Sequence, residues 1–205
     1  MSAADLLERS FPGRRAELKR SVLGAALRCF NSNGIEATTI EMIRHACDTS
    51  VGAIYHHFGN KEGLVAALFF AAMSDQADLR QRYLEAAQTP RDIVNALVFS
   101  YVDWVDSQPE WARYQFNARF AVSNGPHKQE LADRNRLRNK QVQEWFSRPG
   151  VGELLKHFPL EVVPSLIIGS AESYCRAWLS GRVKQSPGTH RQILADAAWR
   201  SLQSA

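Results

Sequence analysis

Between Ile40 and Phe58, two short helical patterns follow one another with only Asp48-Thr49-Ser50 between them. The first begins at Thr38-Thr39-Ile40-Glu41, which predicts a capping box, because a Thr oxygen can accept the amide three residues on while Glu41 reaches back. Ser50 is placed to cap the second helix, which is expected to end near His57. Two short helices joined by a three-residue turn predict a helix-turn-helix.

The rest of the chain also has a helical pattern. Apolar residues recur at three- and four-residue spacing over residues 14–33, and Asn60 is placed to cap a long helix that starts at Lys61. Pro90 and Pro109 each mark a further helix start, where the missing N–H costs nothing. Since no run of alternating β-branched residues is present, the sequence predicts an all-α protein of about nine helices.

A change in helix length indicates the domain organisation. The helices before residue 60 are short and closely spaced, whereas the later ones are long and rich in aromatic residues. We therefore predict an N-terminal arm at 1–13, a three-helix helix-turn-helix domain at 14–60 and a larger helical domain at 61–205.

The composition is that of a soluble globular protein, with 45% hydrophobic and 22% charged residues. The chain starts without a basic segment followed by an apolar run, and the apolar stretch from Leu64 to Met73 is too short to cross a bilayer. Three scattered cysteines form no CxxC pair, so neither a disulfide framework nor a zinc site is expected. These observations predict a cytoplasmic protein with no membrane segment, no metal and no cofactor.

Gly52 lies inside the second short helix, where a glycine costs about 1 kcal/mol relative to alanine. A glycine also removes side-chain bulk where a backbone must approach closely. The second helix of a helix-turn-helix can enter the DNA major groove, where base edges display a readable pattern of donors and acceptors. Val51, Gly52 and Ala53 would form a nearly flat leading surface for such an entry. Tyr55 and His57 lie further along the helix and can reach phosphate or base.

Other residues are candidates for contact with the DNA backbone. Lys61 lies in the first turn of the next helix, where its charge adds to exposed backbone amides, and Thr38 and Thr39 stand at another helix start. From Arg9 to Arg28, six basic residues accompany one acid, an excess expected beside a duplex backbone. The formal charge of +4 is compatible with a polyanionic partner without requiring one. The predicted DNA-contacting residues are Thr38, Thr39, Ser50, Val51, Gly52, Ala53, Tyr55, His56, His57 and Lys61.

The same residues allow other interpretations. His56 and His57 could form a catalytic pair, but adjacent residues on a helix point about 100° apart and no carboxylate has a suitable spacing. A metal cluster of His45, Cys47 and these two histidines matches no known ligand spacing. Redox sensing by Cys47 is an alternative to an ordinary small buried cysteine. We expect no catalytic and no metal-binding residue.

The segment from Ile43 to Leu64 resembles the TetR family of bacterial transcriptional regulators. The residues that carry the resemblance, in the family's order and spacing, are Ser50, Gly52, Ile54, Tyr55, His57, Phe58, Lys61, Glu62 and Leu64. The family usually has small residues at the positions of Arg44 and Cys47, and a glycine at that of Asp48. Because aspartate tolerates the left-handed conformation better than most non-glycine residues, we expect the turn to survive.

The resemblance implies a homodimeric repressor that binds a palindromic double-stranded DNA operator and is released by a small-molecule effector. The effector pocket would lie in the larger domain, and ordinary core packing is the alternative role for its aromatic residues. The candidate effector-binding residues are Tyr101, Trp104, Arg113, Phe116, Asn117, Phe120 and Glu172.

Small residues on the two C-terminal helices resemble the family's four-helix dimer interface, with an intramolecular core as the alternative. The candidate dimer residues are Leu166, Gly169, Ser173, Ala177, Leu194 and Ala198. A dimer would present two recognition helices to two half-sites. Two other functions stay open: an activator of the same fold, and a small-molecule carrier or enzyme whose N-terminal unit is only structural.

Overall fold

The computed structural model describes residues 3–148 and 150–203 of the chain. Within these residues it contains eleven α-helices and two short 3-10 helices but no strand, which confirms the predicted all-α class. The helices in chain order are α1 (Ala3–Ser10), α2 (Glu17–Asn33), α3 (Ile40–Cys47), α4 (Val51–Phe58), α5 (Lys61–Glu85), α6 (Pro90–Ser107), α7 (Pro109–Asn124), α8 (Lys128–Phe146), α9 (Val151–Leu155), α10 (Val163–Leu179) and α11 (Arg191–Gln203). None of the described helices is long and apolar enough to span a membrane.

The chain divides into two compact units. The first unit combines Met1–Asp75 with Gln108–Arg134, and the second combines Gln76–Ser107 with Asn135–Ala205. The functional boundary predicted after residue 60 stays a prediction, because the compact units divide the chain at other positions.

The first unit has an apolar core that fixes the helix-turn-helix. One large buried side chain from each of its first helices contributes to this core: Leu6, Leu23, Ile43, Ile54 and Leu64. Helix α7 is held in the same unit by Tyr114, whose ring stacks on that of Phe30 with centroids 5.8 Å apart. The Tyr114 hydroxyl also donates a hydrogen bond to the Val65 carbonyl oxygen at 2.7 Å, so this buried phenol is satisfied.

The second unit is built around α6, α10 and α11, which pack against one another. Their facing apolar residues are buried and include Ile93, Val98 and Val102 on α6, Ile167, Ala171 and Cys175 on α10, and Ala195 and Leu202 on α11. Polar contacts add to this packing, since Asp103 accepts hydrogen bonds from the Tyr83 hydroxyl at 2.6 Å and from Arg191 at 2.5 Å.

Two helices differ from the sequence prediction. Residues 1–13 were predicted as an arm, but α1 lies within them and packs on α2 through Leu6 and Leu7, both buried. An ion pair of 2.7 Å between Arg9 and Asp75 also joins α1 to α5. The other unpredicted helix is α9, which has five residues and is too short to show a helical period in the sequence.

The predicted dimer residues fall into two groups. Ala177 and Ala198 are 6% and 1% exposed within the single chain, so they belong to the core of the second unit, and their part in a dimer contact stays a prediction. Gly169 has open space, because a Cβ built there meets no heavy atom within 4 Å. Leu166, Ser173 and Leu194 keep exposed surface and remain candidates for a dimer contact.

Candidate nucleic-acid interface

The turn between α3 and α4 depends on a left-handed aspartate. Asp48 follows α3 with φ 47° and ψ 52°, and it is the only non-glycine residue with positive φ in the described part of the chain. Left-handed backbone is costly for most L-residues but tolerated by aspartate and asparagine. The helix-turn-helix predicted to survive without a glycine is therefore formed.

Replacing Asp48 by glycine is expected to raise the free energy of unfolding by about 0.5 kcal/mol, because glycine adopts this conformation without steric cost. Replacing it by valine is expected to lower that free energy by about 1–2 kcal/mol. Urea unfolding of the two variants beside the parent protein measures both changes. Three equal stabilities would contradict the role of Asp48 in the turn.

The start of α3 is capped, but only by half of the predicted box. The Thr39 side chain accepts a hydrogen bond from the Met42 amide at 3.2 Å. Glu41 does not return to the helix start, because its carboxylate binds Arg44 Nε at 2.8 Å. Arg44 is thus partly buried and ion-paired along its own helix.

Helix α4 is fixed at both ends and along one side. Ser50 caps its start by accepting a hydrogen bond from the Ala53 amide at 3.1 Å, as predicted. Ile54 is 1% exposed and anchors the inner side of the helix. At the other end, Gly59 has φ 75° and its amide donates to the Tyr55 carbonyl oxygen at 2.8 Å. These three contacts determine which side of α4 faces outward.

The outward side of α4 carries the predicted base-reading residues. Tyr55 is 47% exposed, and His56 and His57 are also exposed. Gly52 is exposed as well, and a Cβ built there meets only the Ser50 hydroxyl oxygen, at 3.9 Å. No contact in the described part of the chain therefore requires a glycine at this position.

The two histidines have the geometry of surface residues. Their ring centroids are 5.3 Å apart with planes tilted by 65°, and neither ring is paired with a described carboxylate. In the described ranges, no group of three or more His, Cys, Asp or Glu side chains is arranged to hold a metal ion.

Cys47 has the features of a structural cysteine. Its thiol donates to the Ile43 carbonyl oxygen at 3.1 Å. Burial raises the pKa of this thiol, with a smaller contribution from the nearby Cys29. Since the thiolate is the reactive form, these contacts disfavour the redox role that the sequence left open.

Lys61 and Thr38 make hydrogen bonds inside the protein that the sequence did not predict. The Lys61 ammonium donates to three carbonyl oxygens between α2 and α3, those of Ile35 at 3.1 Å, Glu36 at 3.0 Å and Thr38 at 3.1 Å. An ammonium has three donors, so this group is fully used inside the protein. Thr38 is fully buried, and its hydroxyl faces the carbonyl oxygens of Cys29 and Gly34 at 3.1 and 2.7 Å. Both residues position the start of α3, and their contact with DNA stays a prediction.

The basic residues before residue 30 also divide by role. Arg9 is paired with Asp75, and Arg20 donates to the carbonyl oxygens of Phe11 and Gly13 at 2.7 and 2.8 Å. Lys19 is partly buried beside the Phe11 ring. Arg14, Arg15 and Arg28 are exposed and form the group most accessible to a duplex backbone.

Gly63, which the sequence did not single out, permits a close contact between α4 and α5. A Cβ built on this residue would lie 1.9 Å from the Phe58 carbonyl oxygen. The last turn of α4 therefore touches the first turn of α5 so closely that only glycine fits. Asn60 completes the junction as predicted, because its side chain accepts from the Gly63 amide at 2.7 Å.

The predicted effector residues are distributed over both units. In the second unit, Trp104 is 1% exposed and belongs to the core, while Tyr101 is partly buried and Glu172 pairs with Arg176 at 2.5 Å. In the first unit, Phe116 is partly buried. The remaining three lie on the exposed side of α7: Arg113, Asn117 and Phe120. Their role in effector binding stays a prediction.

A family model places this segment among known proteins. Residues 22–68 match the model of the "Bacterial regulatory proteins, tetR family". Over 50 residues, the chain is 44% identical to the "HTH-type transcriptional repressor AcnR" of Corynebacterium glutamicum. That match covers 24% of this chain and 27% of the relative, so the chain spans about a quarter of the length of the curated relative.

Solved structures match over nearly the whole chain. A TetR family transcription regulator from Marinobacter aquaeolei superposes with a TM-score of 0.76 at 20% identity, covering 91% of this chain and 96% of that one. The regulator FadR from Bacillus subtilis, in complex with stearoyl-CoA, gives a TM-score of 0.64 at 14% identity, covering 88% and 97%. At these identities the likeness shows the fold alone. Together with the family match, it confirms the resemblance seen in the sequence: residues 22–68 are a TetR-family N-terminal domain on a chain with the TetR fold.

Proposed function

We propose that this chain is a transcriptional repressor that binds a palindromic DNA operator as a homodimer and releases it when a small-molecule effector binds. The observation that carries the proposal is the outward side of α4. The exposed positions of this helix combine an open glycine with three polar rings, and none of these rings makes a hydrogen bond in the described part of the chain. A helix of this kind suits the major groove, where Tyr and His side chains reach base edges or phosphates.

The exposed cations support DNA binding with a modest electrostatic contribution to the affinity. Arg14, Arg15 and Arg28 lie on α2 or at its start, in the same unit as the recognition helix. Neutralising phosphates releases counterions, so the logarithm of the affinity should fall linearly with the logarithm of the salt concentration, with a slope proportional to the number of phosphates contacted. Three exposed arginines per protomer predict a shallow to moderate slope of this plot.

We infer the effector from the relatives and the homodimer from the resemblance to the TetR family. The Corynebacterium relative is named a repressor, and the Bacillus FadR structure contains a bound acyl-CoA. We propose an effector with an apolar part, since the candidate residues are mainly aromatic. Its binding would favour a spacing of the two recognition helices that no longer matches successive major grooves, a population shift that releases DNA.

A gel shift on the DNA upstream of the chain's own gene tests this proposal. The double variant Tyr55→Ala, His57→Ala is expected to lose at least about tenfold in operator affinity, because both side chains are exposed on the proposed recognition helix and can reach phosphates or base edges. His157→Ala changes an exposed histidine in the second unit and serves as the control, with no expected loss.

Two outcomes would change the proposed function. Stimulation of transcription from the bound promoter in vitro would make the chain an activator, since both activities need the same DNA contact. No retardation of any upstream fragment at moderate salt would contradict DNA binding and favour a carrier or enzyme with a structural N-terminal unit.

A further inference from the structure

The first unit contains an open cavity that the proposed function does not use. It has a volume of about 400 Å³ and lies among α1, α2, the first half of α5 and the first turns of α8. Its main lining residues are Phe11, Lys19, Ala66, Ala67, Phe70 and Arg134. The volume is within the range of small-molecule sites. None of the residues predicted to bind the effector lines this cavity.

Contacts on two sides of the cavity hold its walls in place. The Arg9–Asp75 ion pair joins α1 to α5, and Arg20 holds the Phe11 carbonyl oxygen at 2.7 Å. On the opposite side, the Arg134 guanidinium lies 4.5 Å from the centroid of the Phe70 ring. A cavity with fixed walls needs little reorganisation to accept a ligand.

The floor of the cavity is apolar. Ala66, Phe70 and Ala71 point into it from one face of α5, and each is less than a tenth exposed. Larger side chains at the alanine positions would fill this space, as they do in close-packed interiors. The floor therefore suits a hydrocarbon chain or a ring.

The two ends of the cavity differ in net charge. At one end, Arg134 is neutralised by Glu130, whose carboxylate lies 2.8 and 3.0 Å from two of its nitrogens. At the other end, Lys19 lies 4.4 Å from the centroid of the Phe11 ring, and no described acidic residue is paired with it. A cation over an aromatic ring beside an apolar floor is suited to a single negative charge on an apolar molecule.

We propose that this cavity binds a small apolar monoanion, with a carboxylate at Lys19 and its apolar chain along Ala66, Ala67 and Phe70. The site lies entirely within the first unit. It would be a second ligand site, separate from the effector pocket and independent of the proposed repressor activity.

Calorimetric titration with three ligands that share one tail tests the assignment: octanoate, 1-octanol and octylamine. Octanoate is expected to bind, 1-octanol to bind about five- to tenfold more weakly, and octylammonium not to bind, as one charge-assisted contact implies. Lys19→Gln should weaken octanoate to the level of 1-octanol and leave 1-octanol unchanged. Lys184→Gln, an exposed lysine of the second unit, is the control and should change neither.

A second variant tests binding in the cavity without changing its charge. Ala67→Trp should fill the cavity and abolish binding of both octanoate and 1-octanol, while circular dichroism verifies that the helical fold is retained. Absence of octanoate binding to the parent protein would overturn the proposal. Octanoate binding that neither Lys19→Gln nor Ala67→Trp affects would also overturn it and place the ligand elsewhere. DNA binding, measured by gel shift on the same samples, reports on the repressor proposal separately.

Discussion

Gly63→Ala is expected to lower the free energy of unfolding by about 3 kcal/mol, because overpacking against rigid backbone is costly. The Cβ of the added methyl group would lie 1.9 Å from the Phe58 carbonyl oxygen, a separation that no pair of unbonded heavy atoms adopts. Helices α4 and α5 would have to move apart, and the Asn60 cap would be disturbed with them. Urea unfolding followed by circular dichroism measures the loss.

Gly52→Ala is the matched control, since it makes the same change in the neighbouring helix. The added methyl group meets only the Ser50 hydroxyl oxygen at 3.9 Å. The free energy of unfolding of this variant should therefore rise by about 0.5 kcal/mol, because alanine has a higher helix propensity than glycine. Its operator affinity should nevertheless fall, because the methyl group occupies the surface that approaches DNA. Equal destabilisation by both substitutions would contradict the packing at Gly63, and unchanged affinity for Gly52→Ala would contradict the clearance role of Gly52.

Lys61→Met is expected to lower the free energy of unfolding by about 2–3 kcal/mol, because three carbonyl oxygens would lose a charged donor. Methionine keeps the length and apolar stem of the side chain, so the loss reports on the ammonium itself. Lys128→Met is the control, as both lysines are the first residue of an α-helix and Lys128 is exposed. The free energy of unfolding of Lys128→Met is expected to change by no more than about 0.5 kcal/mol.

DNA binding of Lys61→Met separates the two roles considered for this lysine. A structural role predicts that the folded variant keeps the salt dependence of the parent protein. A phosphate contact would instead reduce the slope of log affinity against log salt by about one per protomer. Unchanged stability together with a shallower slope would support the phosphate contact of Lys61 that the sequence predicts.

The fold could be predicted from the sequence because its signals are local. The caps at Thr39, Ser50 and Asn60 each need only an amide three residues away, and all three are formed. The turn at Asp48 depends on the conformational range of a single residue type. Such signals do not need the tertiary structure to be interpreted.

The parts that could not be predicted depend on contacts between distant residues. Lys61 was assigned to phosphate because helix starts attract anions, but its ammonium meets carbonyl oxygens 23 to 26 residues earlier. The importance of Gly63 depends on how closely α4 approaches α5, which no local pattern reveals. Glu41 was assigned to the capping box, yet Arg44 on the next turn competes for its carboxylate.

In vitro selection from a library of random duplexes tests the central claim that the outward side of α4 reads DNA. The parent protein is expected to enrich an inverted repeat with half-sites about one helical turn apart, as two recognition helices require. The double variant Tyr55→Ala, His57→Ala should fail to enrich that repeat, while His157→Ala enriches it normally. Enrichment of no sequence by the parent protein, or the same repeat enriched by the double variant, would contradict the account.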